Sequence, residues 1–258
     1  MPAGTDPRLS RHPAAPLETG PLLLSGPVAH HLNRVLRVRP GEKIRLFDGQ
    51  GREAEAVVVS RDGDRVRVEV GEVRTVRRES PLPLTLAFAL SKGEKPEWIA
   101  QKSVELGVAA LVVFAARRSV VHWSADAVEH KLRRLREVVR GACAQCGRTV
   151  EPSLRYADSC GAAIALTADR PLRLALDATA ARPLAAFLPL DRVLPVCLLS
   201  GPEGGLAADE LEELTAGGWR TARLGPRILR AETAALAAVA LVQGLAGDLG
   251  APADGELQ

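Results

Sequence analysis

Aromatic side chains make up only 3% of this 258-residue chain, with four Phe, three Trp and one Tyr. So few flat rings argue against a surface that stacks successive unpaired bases. Cysteine is as sparse. Cys143, Cys146, Cys160 and Cys197 are too few, in surroundings too apolar, to form a disulfide framework. Cys143 and Cys146 have CxxC spacing, but no second pair supplies the further ligands zinc needs, so no metal is expected. No uninterrupted apolar run approaches the ~18 residues of a membrane span. The opening MPAGTDPRLSRHPAAP lacks the apolar centre of a secretory signal. These absences predict reduced thiols, a cytoplasmic location and no membrane partner. There is no internal repeat, and low complexity is confined to the terminal tails.

What is present is unevenly distributed. Residues 1–148 carry 25 Lys and Arg against 17 Asp and Glu, whereas residues 149–258 carry 9 against 14. A basic front half and an acidic rear half suit a polyanion meeting the first part of the chain. Arg34, Arg37, Arg39, Lys43 and Arg45 cluster around the expected turn Pro40-Gly41 and are candidate phosphate contacts. With so few aromatics, recognition of folded RNA by phosphate and shape is favoured over base stacking.

The runs PLLLSG, EKIRLFDGQG, EAEAVVVSRDGD and RVRVEV predict a small antiparallel β unit. Asp48-Gly49 and Asp62-Gly63 supply its tight turns, and Val66, Val68 and Val70 alternate with charged residues as one buried face demands. The charged, proline-bearing VRRESPLP marks a boundary near residue 80. Beyond it LTLAFAL, LVVFAA, LRLALD and LPVCLLSGP read as buried parallel strands of an α/β domain. Val128, Leu132, Leu135, Val139 and Ala142 mark the inward face of a helix whose other faces carry Lys131, Arg133, Arg134, Arg136 and Arg140. That basic surface reads either as RNA-facing or as plainly solvated. The last helix, ETAALAAVALVQGLAG, is apolar almost all round and must be buried by its own domain or a partner subunit, which predicts a homodimer.

Two segments carry chemistry. In LLSGPEGGLAADEL an apolar strand runs directly into Gly201, Pro202, Glu203, Gly204 and Gly205, a turn whose backbone amides can approach a ligand. It lacks both the GK[ST] ending of a phosphate loop and the GxGxxG spacing of a dinucleotide site. In RLGPRILRAETAALAAVALVQ, Leu224-Gly225-Pro226 follows a short strand, and Arg230, Glu232 and Thr233 open the last helix, where amides and the positive dipole end lie. Ordinary capping accounts for Glu232 but not for Arg227 and Arg230 in a restricted loop.

These motifs, with KGEKPEWIAQKSVELGV, GACAQCGRTVEP and HHLNRVLRVRPGE, closely resemble the family that methylates N3 of a uridine in small-subunit (16S) ribosomal RNA. The resemblance runs along nearly the whole chain. It implies a PUA-like β-barrel, residues 1–80, followed by an α/β SPOUT methyltransferase domain, residues 81–250, with a carboxy-terminal trefoil knot. A tail, 251–258, is expected to be disordered. It further implies S-adenosylmethionine as cofactor, held by Leu176, Ser200, Gly201, Pro202, Glu203, Gly204, Gly205, Leu224, Gly225, Ile228, Leu229 and Thr233. Arg230 is expected to stabilise charge developing on the uracil, and Glu232 to serve as a base, to hold Arg230 or simply to cap the helix. Lys92, Lys102, Arg133, Arg140 and Arg148 join the expected RNA contacts, and the partner is 16S rRNA within the small ribosomal subunit. Two positions depart from the family pattern: Ala144 stands before Gln145 where Glu is frequent, and Asp177 stands where Glu is frequent. A ribose 2′-O-methyltransferase and a noncatalytic ribosome assembly factor are the competing readings.

Overall fold

The computed structural model describes residues 9–76, 78–189 and 192–250, so the expected tail 251–258 lies outside the described residues. The chain divides into two compact units, one reaching Glu79 and including Cys143–Glu151, the other running from Ser80 to Ala142 and from Pro152 onward.

In the first unit, β1 (Arg11–Pro13), β2 (Gly20–Leu24), β3 (Lys43–Phe47), β4 (Arg52–Asp62), β5 (Arg65–Val70) and β6 (Arg74–Thr75) build one sheet. Its path is β1-β3-β4-β5-β2, with β6 also on β4. The pairing is antiparallel except for β1 on β3, which is parallel and departs from the all-antiparallel expectation. Val66, Val68 and Val70 are buried while Arg65, Arg67 and Glu69 face solvent, as their alternation requires. At the Asp48 turn the carboxylate accepts the amides of Gln50 and Arg52, which leaves Gly49 to take φ +76°. Between β2 and β3 the short helix α1 (Gly26–His30) passes into a π-helical turn, His31–Leu36, that ends at Arg37 with φ 54°. Sequence periodicity gave no warning of this turn.

Cys143–Glu151, read in the sequence as part of the second domain, clusters with the first unit. Arg11 and Arg78 both donate to the Gly147 carbonyl, Gly51 N–H donates to Thr149 O, and Glu151 N–H donates to Gly49 O. The Thr149 hydroxyl donates to Val76 O. Such backbone capture leaves no periodic trace in a sequence.

The second unit holds a wholly parallel sheet of β7 (Leu84–Ala89), β8 (Ala110–Phe114), β9 (Ser153–Ala157), β10 (Leu172–Leu176), β11 (Val196–Ser200) and β12 (Arg220–Ala222). Its order is β12-β10-β11-β7-β8-β9. The fully buried strands β7, β8 and β11 occupy the middle and are the continuous apolar runs of the sequence. The helices are α2 (Lys95–Glu105), α3 (Ala125–Cys146), α4 (Cys160–Leu166), α5 (Ala208–Ala216) and α6 (Ala231–Ala246). On α3, Leu132, Leu135, Val139 and Ala142 are buried as their spacing predicts. Helix α6 is covered in part by its own chain. It buries Ala235, Ala238, Val239, Val242 and Gln243, but leaves Thr233, Gly244 and Leu245 exposed, so one chain covers only part of its apolar surface.

Candidate active site

Three strands of the second unit, β10, β11 and β12, end side by side, and beyond their carboxyl ends lies a cavity of about 380 Å³. Ligands in open α/β sheets bind at such ends. Two loops form most of the wall: the turn after β11, from Ser200 through Leu206, and the segment after β12, from Ala222 to Ala231. Leu176 and Asp177 close it from β10. A roomier hollow of about 480 Å³ lies on α5 against Leu211, Glu212, Thr215 and Ala216. It is a shallow depression on a single helix, without converging polar groups, and so makes a poorer site.

The fold explains why these loops carry glycine. A Cβ on Gly201 would stand 3.0 Å from Leu206 Cγ, and Gly205 and Gly225 take φ of +69° and +146°. Gly205 N–H donates to Pro202 O to close the turn. Arg118 Nη1 donates to Gly204 O, 3.1 Å away. Behind the loop, the buried Glu210 of α5 accepts the Ala207 and Arg117 amides at 2.8 and 2.9 Å. This ties the strand-to-helix turn to the segment after β8.

Of the residues expected around a cofactor, Leu176, Ser200, Gly201, Pro202, Glu203, Gly205, Leu224, Gly225, Ile228 and Leu229 meet at this cavity. Gly204 and Thr233 are not part of its wall, and both are exposed. Ile228 is 90% exposed, an apolar side chain on the cavity rim awaiting cover. Asp177 turns its carboxylate into its own loop, accepting the Thr179 amide and hydroxyl at 2.8 Å each.

Arg230 lines the cavity and is exposed. Glu232 is not part of the wall. Its Oε2 is buried and lies 3.3 Å from Lys95 Nζ, an ion pair that falls short of an aligned hydrogen bond. This contact favours a structural role for Glu232 over a base facing the cavity. Lys95 also donates to Glu203 Oε1 at 2.6 Å. Burial pushes the Glu203 carboxyl up, but the Lys95 hydrogen bond, a backbone amide and the charges of Lys95 and Lys92 outweigh it, so the group lies below its ordinary value. Lys95 in turn is raised, chiefly by the hydrogen bond to Glu203. Sequence reasoning passed over Lys95, Arg118 and Leu206; Lys95, within the quoted KGEKPEW, and Leu206, within the quoted SGPEGGLAADEL, lay inside motifs already singled out, and Arg118 carried no signal.

The expected RNA contacts divide. In the first unit Arg34, Arg37, Arg39 and Lys43 are exposed; in the second, Lys92, Arg133 and Arg140 are exposed, and Lys102 is half-buried beside Glu105. Arg45 and Arg148 are corrections. Arg45 is 3% exposed and donates to Glu55 at 3.1 Å, close to Glu53, while Arg148 is 6% exposed and paired with Glu79. Both guanidinium groups are turned to carboxylates inside their unit and are not presented to phosphate. Among the described residues no cluster of three or more His, Cys, Asp or Glu is able to hold a metal, and no helix is long and apolar enough to cross a membrane.

Comparison with known proteins places this geometry. Residues 78–243 match the RNA methyltransferase domain family, and residues 24–71 match the RNA methyltransferase PUA domain family. The chain is 32% identical to the ribosomal RNA small subunit methyltransferase E of Bacillus subtilis, over 85% of this chain and 88% of that protein. It is 33% identical to the same-named protein of Mycobacterium tuberculosis, over 85% of each. The crystal structure of ribosomal RNA small subunit methyltransferase E from Neisseria gonorrhoeae, bound to S-adenosyl methionine, superposes with a TM-score of 0.84 at 34% identity. That match covers 93% of this chain and 99% of the other. A methyltransferase from Legionella pneumophila in complex with the bound cofactor SAM gives a TM-score of 0.89 at 35% identity, covering 94% and 100%. With the α/β methyltransferase domain, the amino-terminal PUA domain and likeness along most of its length, the chain belongs to the ribosomal RNA small subunit methyltransferase E family of RNA methyltransferases.

Proposed function

We propose that this protein transfers a methyl group from S-adenosylmethionine to N3 of a uridine in 16S rRNA of the small ribosomal subunit. The observation that carries the proposal is the cavity walled by the SGPEGG and LGPRILRAETA loops, in a chain similar at TM-scores of 0.84 and 0.89 to structures that hold this cofactor. The wall suits the cofactor. Glycines without Cβ atoms let backbone amides close in, and Leu176, Leu206, Ile228 and Leu229 offer apolar cover for an adenine and ribose.

The bound cofactor supplies a methyl group already activated on a sulfonium. What the protein must add is alignment and charge. Uracil N3 carries a proton at neutral pH, and its departure leaves negative charge on the flanking oxygens. Arg230, exposed on the cavity wall with Arg227 close by, is placed to stabilise that charge. Arg34, Arg37, Arg39 and Lys43 of the first unit, with Lys92, Arg133 and Arg140 of the second, are exposed basic residues on which phosphate contact is proposed.

The finer architecture belongs to the same reading. We infer that the first sheet curls into a barrel and that the carboxy-terminal segment is threaded as a trefoil knot. Support for the knot comes from Arg223, just after edge strand β12. Its amide donates to Arg182 O and its carbonyl accepts the Leu184 amide, while the chain beyond it returns to pack α6 on β11 and β7. Half-covered α6 supports a homodimer, and a ribosomal substrate supports action in the cytoplasm.

The test is tritium transfer from labelled S-adenosylmethionine to small ribosomal subunits, naked rRNA and transfer RNA, followed by nucleoside chromatography. N3-methyluridine from the small subunit is the expected product. A 2′-O-methylated nucleoside would assign the chain to ribose chemistry, and cofactor binding without transfer to any RNA would make it a binding factor.

A further inference from the structure

Lys95 opens α2, outside both loops that wall the cavity, yet its ammonium reaches two carboxylates from two other elements. Glu203 Oε1 of the turn after β11 lies 2.6 Å away, and Glu232 Oε2 of α6 lies 3.3 Å away. We propose that Lys95 is a positioning residue for cofactor binding: it grips Glu203 and so fixes the Gly201–Gly205 turn, using Glu232 as its anchor on α6. The proposal rests on the function argued above and adds to it a residue outside the cavity wall.

Three observations converge. First, of the three charged groups only Glu203 lines the cavity, so Lys95 can act on the cofactor only through it. Second, the turn's other holds are on its backbone. Gly201, Gly204 and Gly205 have no side chains to anchor them, and Arg118 grips the Gly204 carbonyl. A glycine-rich segment loses more freedom on ordering than any other, so a clamp that orders it beforehand lowers the cost of binding. Third, the Glu232 oxygen facing Lys95 is buried and makes no aligned hydrogen bond. Removing the ammonium would leave that carboxylate uncompensated beside Glu203, and mutual repulsion would push the turn out of place. The other cation acting on Glu203 is Lys92, exposed on the segment before α2. A lysine suits the position because three donors on a compact charge can serve two carboxylates of different direction, where a planar guanidinium is bound to its own plane.

The test is isothermal titration of S-adenosylmethionine into the full-length protein and its Lys95→Met, Lys95→Arg and Glu203→Gln variants. The double variant Lys95→Met/Glu203→Gln is titrated in parallel, and steady-state kinetics are measured on small ribosomal subunits. Lys95→Met is expected to weaken cofactor binding about tenfold and to raise KM for the cofactor more than it lowers kcat. Lys95→Arg, which keeps the charge but not the two-way geometry, should restore only part of the loss, and the double variant should bind no worse than Lys95→Met, because two groups acting as one unit do not add. Unchanged affinity in Lys95→Met, additive losses in the double variant, or a rise confined to KM for the RNA would overturn the proposal. Should Lys95→Met fail to fold, Glu203→Gln carries the test: affinity equal to the parent's overturns it. A parent protein that binds no S-adenosylmethionine would instead overturn the cofactor reading itself, and the positioning role with it.

Discussion

At the scale of single residues, burial decides what a charged or titratable side chain does. His12 is 5% exposed, its Nε2 lies 3.0 Å from the Ser10 hydroxyl, and its ring centroid is 5.6 Å from that of His31. Burial first, then the charge of His31, lowers its pKa to about 4. The folded state therefore holds His12 neutral, while the unfolded chain binds a proton below about pH 6.5. Stability is full above that value and declines as pH falls towards 4, by about 3 kcal/mol at the lower limit. Every Trp and the single Tyr lie in the second unit, so fluorescence would miss the change. Hydrogen exchange of first-unit peptides at pH 7.5 and 4.5 should show it, and His12→Gln should flatten the difference. At the cavity, Arg230→Ala should lower kcat about a hundredfold while cofactor affinity changes little, if the guanidinium acts on developing charge. Loss of cofactor affinity with unchanged kcat would contradict that role. The two glycine-bearing motifs were legible in the sequence as loops, and the structure brings both to one cavity wall. The inward turn of Arg45 and Arg148 was not, because a basic residue in a basic stretch looks the same whether it meets phosphate or a buried carboxylate.

At the scale of elements, the strongly periodic stretches were readable and the solvated or captured ones were not. The inward face of α3 and the central strands β7, β8, β10 and β11 follow from apolar spacing alone. Edge strand β9, with the mixed sequence SLRYA, and the three-residue β1 bear no such pattern, and a half-exposed edge needs none. The clustering of Cys143–Glu151 with the first unit left no pattern in the sequence for a related reason. Arg11, Arg45 and Arg78 converge on buried Glu53, at 2.5, 4.0 and 3.3 Å, and two of them also grip Gly147 O. Removing that carboxylate takes from largely buried Arg11 the group it is paired with, so Glu53→Ala should cost about 3–5 kcal/mol. The loss should appear as faster exchange at Gly147, Arg148 and Thr149, measured by hydrogen exchange. Unaltered protection there would show that the backbone bonds alone hold the segment.

At the scale of the whole molecule, charge asymmetry and the apolar last helix were both visible in the sequence, whereas the knot inferred above was accessible only through family resemblance. Threading is rare among folds, and local patterns do not encode it. Electrostatic recognition makes a quantitative forecast. Replacing Arg37 and Arg39 by Ala should raise KM for the small subunit and reduce the slope of log affinity against log salt by about one for each arginine that meets a phosphate. A slope equal to the parent's would remove both residues from the RNA surface. The measurement that bears most directly on the whole account is nucleoside analysis of small ribosomal subunits after incubation with the protein and labelled S-adenosylmethionine. The account predicts label in N3-methyluridine, formed far more slowly by the Arg230→Ala variant; label in any other nucleoside, or none in RNA despite bound cofactor, would contradict it.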